Sequence, residues 1–194
     1  MKIIAGVDEV GRGCLAGPVF AGAVILDKNI NIKEIKDSKK IPFKKRILMS
    51  QYLKKNSTYS IGSASVEEIY KINILNASLL AMERAIKKLK IKPTIAYIDG
   101  IYSPKKINIK CKTFIKGDQK ISCISAASII AKAKRDVFMI NLSKKYPKYK
   151  WHQNFGYGTK DHLIGLKKHG ITKHHRIKFK PIHNILMSDS RETL

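Results

Sequence analysis

Apolar positions along this chain fall into two kinds of run. Some are short, β-branched stretches that close on acidic or glycine residues; others are longer stretches with helical spacing. Lys2 to Asp8 is the first short run and ends in an acidic pair, Asp8 and Glu9. Pro18 to Leu26 reads as a second buried strand and Thr58 to Ala64 as a third, and we expect these three to form an antiparallel meander. Between the second and third, a helix is predicted from about Pro42 to Lys54, with proline near its first turn. Val66 to Lys71 and Asn73 to Lys90 also read as helices, and Leu75, Leu79, Met82, Ala85, Ile86 and Leu89 trace one apolar stripe. Thr94 to Ile98 and Cys111 to Ile115 are further strands, running into Asp99-Gly100 and Lys116-Gly117-Asp118. A long helix is predicted from about Ile121 to Lys144, opening with the small residues Ser125, Ala126, Ala127 and Ser128, which permit close packing. Trp151 to Leu194 is rich in His, Lys and aromatics, with one helix near Lys160 to His169 and another after Pro181.

That order predicts an α/β domain, a mixed sheet with helices on both sides, because strands separated by helices can lie parallel. Residues 1–145 are expected to form the main domain and 146–194 an extension packed on it. No repeat, low-complexity tract or long linker divides the chain.

At 194 residues and 44% hydrophobic composition the chain is long enough to bury a proper core. Its 39 Lys+Arg against 14 Asp+Glu give a net charge of +25, which favours polyanionic partners and salt-dependent binding. Much of that excess is Lys, in a chain also rich in Ile, so composition alone does not fix a ligand. The cysteines Cys14, Cys111 and Cys123 lack metal-ligand pairing and read as reduced thiols of a cytosolic protein. No apolar run reaches the roughly 18 residues of a membrane span, so no membrane partner is expected.

Acidic residues are scarce, so their placement is informative. Asp8 and Glu9 end the first strand, Asp99 ends the fourth and Asp118 follows the fifth. In open α/β sheets the carboxyl ends of the strands face the functional crevice. If the first and fourth strands are adjacent and parallel, Asp8 and Asp99 converge. Clustered carboxylates repel one another unless cations neutralise them, and oxygen-only ligands select hard ions, Mg²⁺ or Mn²⁺. Two such ions suit phosphodiester hydrolysis. Gly11-Arg12-Gly13 follows directly, and its glycines would allow close approach to a phosphate or sugar. Gly11-x-Gly13-x-x-Ala16 formally matches a dinucleotide loop, but Gly17-Pro18 and a strand follow where a helix is required, which excludes that reading.

Taken with Asp37-Ser-Lys39, Ser125-Ala-Ala-Ser-Ile-Ile-Ala-Lys132, Arg135-Asp136, Gly156-Tyr-Gly-Thr159 with His162, and His175-Arg176, these motifs make the chain resemble bacterial ribonuclease HII from about residue 3 to residue 187. The resemblance implies a ribonuclease H-like fold, a five-stranded mixed sheet flanked by helices with a small helical C-terminal extension. It also implies cleavage of RNA in RNA–DNA hybrids and nicking 5′ of ribonucleotides embedded in duplex DNA, leaving 3′-hydroxyl and 5′-phosphate ends. Asp8, Glu9, Asp99 and Asp118 are then the catalytic, metal-holding carboxylates. The Gly11, Arg12, Gly13 backbone would contact the 2′-hydroxyl, and Tyr157 would stack on the following deoxyribose. Asp136 is expected to support the site as a partner of Arg135 or a nearby lysine. Ser38 and Lys39 are candidates for phosphate contact, as is Ser125 near a helix N-terminus. His162, His174 and His175 are expected in packing or phosphate contact rather than on a metal. We expect a monomer; the competing reading is a basic nucleic-acid-binding protein without catalysis.

Overall fold

The structure is a computed structural model that describes residues 2–30, 35 and 41–189. Asp37, Ser38, Lys39 and Lys40 lie outside the described residues.

Five strands form one sheet in the order β3-β2-β1-β4-β5: β1 (Ile4–Val10), β2 (Val19–Leu26), β3 (Ser57–Ala64), β4 (Ile95–Asp99) and β5 (Lys110–Phe114). β1, β2 and β3 pair antiparallel, as their sequence order leads one to expect. β4 lies parallel to β1 and β5 parallel to β4. The helices are α1 (Phe43–Asn56), α2 (Val66–Lys88), α3 (Gly117–Lys120), α4 (Ser122–Lys145), α5 (Trp151–Asn154), α6 (Lys160–His169) and α7 (Lys180–Asp189).

Alternation along the strands assigns the two faces. Ala5 and Val7 of β1, with Ala21 and Ala23 of β2, pack with Ala77, Ala81, Met82 and Ala85 of α2. On the other face Val24 joins Ala126, Ala127, Ile129 and Ile130 of α4 and Leu53 of α1. α4 comes unusually close to the sheet because β1 and β2 offer glycines beneath it. A Cβ on Gly6 would overlap the Cys123 backbone, and one on Gly22 would lie 2.5 Å from the Ala127 carbonyl oxygen. Small residues on both partners therefore set the height of α4 over the strand that carries Asp8.

α2 starts on a capping box, in which Ser65 and Glu68 each satisfy the other's backbone N–H. It kinks at Asn73 (φ 64°), whose side chain accepts from the Asn76 N–H and so restarts the helix. The two helices expected from sequence are these two limbs.

A third cluster joins the C-terminal elements to the start of the chain: Leu15 and Ala16 pack with Met139, Tyr149, Trp151, Leu166 and Ile182. Backbone bonds reinforce this contact. Leu15 N–H donates to the Gly156 carbonyl, Gly17 N–H to His174 and Arg176 N–H to Leu15. Among the described residues no helix is long and apolar enough to cross a membrane.

Candidate functional site

The parallel register pairs Val7 with Ile98, so one further step sets Asp8 beside Asp99 on the face that α4 covers. Asp118 joins them from α3, and one carboxylate oxygen from each of the three lies within 4.8 Å of the others. α3 is held in place at the strand end, since the Gly117 N–H donates to Asp99 Oδ1 at 2.7 Å. Asp8 and Asp118 are each only 3% exposed. Burial, reinforced by Glu9, Asp99 and Asp118, pushes the Asp8 carboxyl well above the usual carboxylate range, against a hydrogen bond from Ser128. A carboxylate trio that destabilises its own charge in this way fits a divalent cation, which would remove both penalties.

Glu9 stands apart from the trio. Strand alternation sends it to the opposite side from Asp8, where Arg12 Nη1 donates to its Oε1 at 3.2 Å. Its carboxyl is also raised, by burial first and with Asp99 adding to it, while Arg12 opposes. Glu9 is thus close enough to feel the cluster but is paired with the neighbouring loop.

That loop, Gly11 to Gly13, rests on two buried guanidinium groups. Arg135 is fully buried and donates to the carbonyls of Ala16, Pro18 and Phe155. Arg176 donates to Gly17 twice and to the Arg12 carbonyl at 2.8 Å. Burial lowers the Arg176 guanidinium to about 10. The two glycines do different work. Gly11 has φ +94° and a Cβ there would overlap the Arg135 side chain, so the fold requires it. A Cβ on Gly13 would meet nothing within 4 Å. The space above Gly13 is open.

Tyr157 is 39% exposed, in the segment that also supports the loop. Its carbonyl accepts from His162 Nδ1 at 2.8 Å. Burial, with Cys14 beside the hydroxyl, pushes its phenol up to about 12, so it is neutral at physiological pH. His162 and His175 belong to one hydrogen-bond chain. Trp151 Nε1 donates to His162 Nε2 at 3.0 Å, and His175 Nε2 lies 3.1 Å from the same atom. The Thr172 N–H donates to His175 Nδ1, so His175 carries its proton on Nε2 and gives it to His162. Burial lowers both imidazoles, His175 to about 3. These histidines are structural, and His174 packs edge-on to Tyr146.

Asp136 is fully buried, but its partners are Lys132 at 2.7 Å and Arg46 at 2.8 Å, not Arg135. Of the two partners expected, the nearby lysine is found in Lys132, while Arg135 turns to backbone carbonyls instead. Ser125 is buried, with no partner for its hydroxyl among the described residues. Its neighbour one turn later, Ser128, is the one that reaches Asp8. In the sequence Ser128 reads only as a small packing residue. The signal was its place on the helix face that crosses β1, visible only with the register in hand. Arg46 was likewise missed, since nothing in sequence links positions 46 and 136.

The overall fold is shared with a solved ribonuclease H2. Ribonuclease H2 from Pyrococcus horikoshii OT3 superposes with a TM-score of 0.80 at 28% identity, covering 97% of this chain and 99% of that one. The architecture is that of a ribonuclease H-type hydrolytic nuclease. The family model described as Ribonuclease HII matches residues 5–182, and the chain belongs to that family. It is 59% identical to a ribonuclease HII of Pelagibacter ubique (strain HTCC1062) over 96% of this chain and 100% of the relative. Against a ribonuclease HII of Roseobacter denitrificans the figures are 48% identity, 96% and 94%.

Proposed function

We propose that the protein cleaves the RNA strand of RNA–DNA hybrids and nicks duplex DNA on the 5′ side of an embedded ribonucleotide, leaving 3′-hydroxyl and 5′-phosphate ends. The observation that carries this reading is the convergence of Asp8, Asp99 and Asp118 to within 4.8 Å, a few residues from the Gly11–Gly13 loop. Asp8, Asp99 and Asp118 would hold Mg²⁺ or Mn²⁺, with Glu9 contributing once its carboxylate leaves Arg12. A divalent ion held by these residues would supply an activated water and stabilisation of the departing 3′-oxygen, and a second could be accommodated with substrate phosphate. Ser128 keeps Asp8 oriented by its hydrogen bond, and the Gly117 N–H does the same for Asp99.

Selection of the scissile phosphate falls to the loop and to Tyr157. The 2′-hydroxyl is the one group that distinguishes RNA at a given position, and the open space at Gly13 lets a sugar reach the backbone. Tyr157, neutral and partly exposed, offers a ring for stacking on the next deoxyribose. The excess of basic residues supplies affinity for either duplex. Ser125, being buried, has no part in this proposal.

The test is to incubate the protein with three duplexes: all-DNA, DNA carrying one ribonucleotide, and a long hybrid, each with Mg²⁺, with Mn²⁺ and with chelator. We expect metal-dependent cleavage of the last two, with a 3′-hydroxyl left 5′ of the ribonucleotide. Binding of all three without cleavage would establish the non-catalytic reading instead.

A further inference from the structure

Asp136 is a fully buried carboxylate shared by two cations from different helices. Its Oδ1 accepts from Lys132 Nζ at 2.7 Å and its Oδ2 from Arg46 Nη2 at 2.8 Å. Two cations on one carboxylate leave a net positive charge in a mostly buried place, with the Lys132 side chain 18% exposed. Such an arrangement is a poor source of stability by itself. Its geometry has a second aspect. From its place on Asp136, the Lys132 ammonium faces the rings of Phe155 at 4.9 Å and Tyr157 at 5.6 Å. The negative ring faces offset the excess charge, and the ammonium in turn restrains both rings. Phe155 is further stacked on Phe43 of α1, with centroids 6.2 Å apart and planes 22° from parallel. Arg46, on the same helix, donates to the Ile41 carbonyl at 2.7 Å.

We propose that Lys132, held by Asp136, is a positioning residue that fixes the Tyr157 ring for recognition of the RNA–DNA junction. The proposal rests on the reading of Tyr157 as the residue that stacks at that junction. Tyr157 is otherwise restrained at its backbone, where His162 holds the carbonyl and Asn154 accepts from the N–H, and at its hydroxyl by Cys14. Lys132 supplies the restraint on the ring face. It contributes to the choice of phosphate and not to the chemical step.

The experiment compares kcat/KM on duplex DNA containing one ribonucleotide with kcat/KM on a long hybrid. The proteins are the unsubstituted one, Lys132→Met, Lys132→Arg, Tyr157→Ala and the Lys132→Met/Tyr157→Ala double variant, with melting temperatures recorded for each. We expect Lys132→Met to lower the junction-to-hybrid ratio about fivefold, Lys132→Arg to retain most of it, and Lys132→Met to add nothing once Tyr157 is alanine. Should Lys132→Met fail to fold, Lys132→Gln, which keeps a hydrogen bond to Asp136 without the charge, carries the same expectation. Equal loss on both substrates, additive with Tyr157→Ala, would make Lys132 a plain phosphate contact and overturn the proposal. A ratio changed by Tyr157→Ala but not by Lys132→Met or Lys132→Gln overturns the proposal and leaves Tyr157 as the reader. A ratio unmoved by Tyr157→Ala removes the reader itself, and the role of Lys132 with it.

Discussion

The Arg176 guanidinium donates to the Arg12 carbonyl at 2.8 Å, across 164 positions of sequence. Through this bond and the two to Gly17, the C-terminal segment shapes the loop beside the carboxylate trio. Arg176→Met would leave the buried Gly17 carbonyl and the part-buried Arg12 carbonyl without their charged donor. We expect a loss of about 3 kcal/mol in stability, measured by denaturant unfolding, and a larger fall in cleavage of the junction duplex than in its binding. An unchanged unfolding midpoint would show that the loop does not depend on this arginine.

The two loop glycines should separate folding from recognition. Gly11→Ala places a side chain against Arg135 at a positive φ, and we expect it to cost several kcal/mol in thermal or chemical unfolding. Gly13→Ala meets open space, so its melting temperature should match that of the parent. Its kcat/KM on ribonucleotide-containing duplex should nevertheless fall, by about tenfold or more, because the methyl occupies the approach to the backbone. Full activity in Gly13→Ala would exclude close contact between this backbone and the sugar.

Asp8 links stability to pH and metal. Burial and its acidic neighbours raise its carboxyl in the folded state above the unfolded value of 3.8. The folded state therefore binds this proton more tightly, and the associated stability is lost as pH rises through the raised value. Without metal at pH 7 to 8, Asp8→Asn should melt higher than the parent. Added Mg²⁺ or Mn²⁺ should raise the melting temperature of the parent and do much less for the variant. A variant that melts lower in chelator would contradict the electrostatic account of the cluster.

The histidine chain gives the opposite sign. His162 and His175 are lowered from the ordinary value of 6.5, His175 to about 3. Their contribution is complete above 6.5 and is lost as pH falls from there toward the folded values. Each such proton tilts unfolding by roughly 1.4 kcal/mol per pH unit across that window. The ring signals of His175, followed by NMR, should not titrate between pH 7 and 5; a midpoint near 6.5 would show that the chain is not closed.

Much of this was legible in the sequence. The meander was legible in the short apolar runs, and the convergence of Asp8 with Asp99 was legible on the condition that the first and fourth strands lie adjacent and parallel, which the pairing of β1 with β4 meets. The kink at Asn73 was visible as a break between two helical stretches. Several of the side-chain partners were not legible. Asp136 takes the nearby Lys132 that the sequence allows, one helical turn away, but its second partner is Arg46 rather than the adjacent Arg135, because helix geometry points adjacent residues apart while packing brings α1 to α4. Glu9 separates from Asp8 for the related reason that successive strand residues face opposite ways. Position 128 became informative only when the glycines of β1 and β2 fixed where α4 lies.

The central claim is that the carboxylate trio carries metal-dependent cleavage. Its most direct test is the single-turnover nicking rate of Asp99→Asn on duplex DNA containing one ribonucleotide, with saturating Mg²⁺ or Mn²⁺, beside its binding affinity for the same duplex. Asparagine keeps an oxygen able to accept from the Gly117 N–H, so the local fold should persist. The account predicts a rate lower by about a thousandfold or more, with binding largely retained. Cleavage at the parent rate would contradict it.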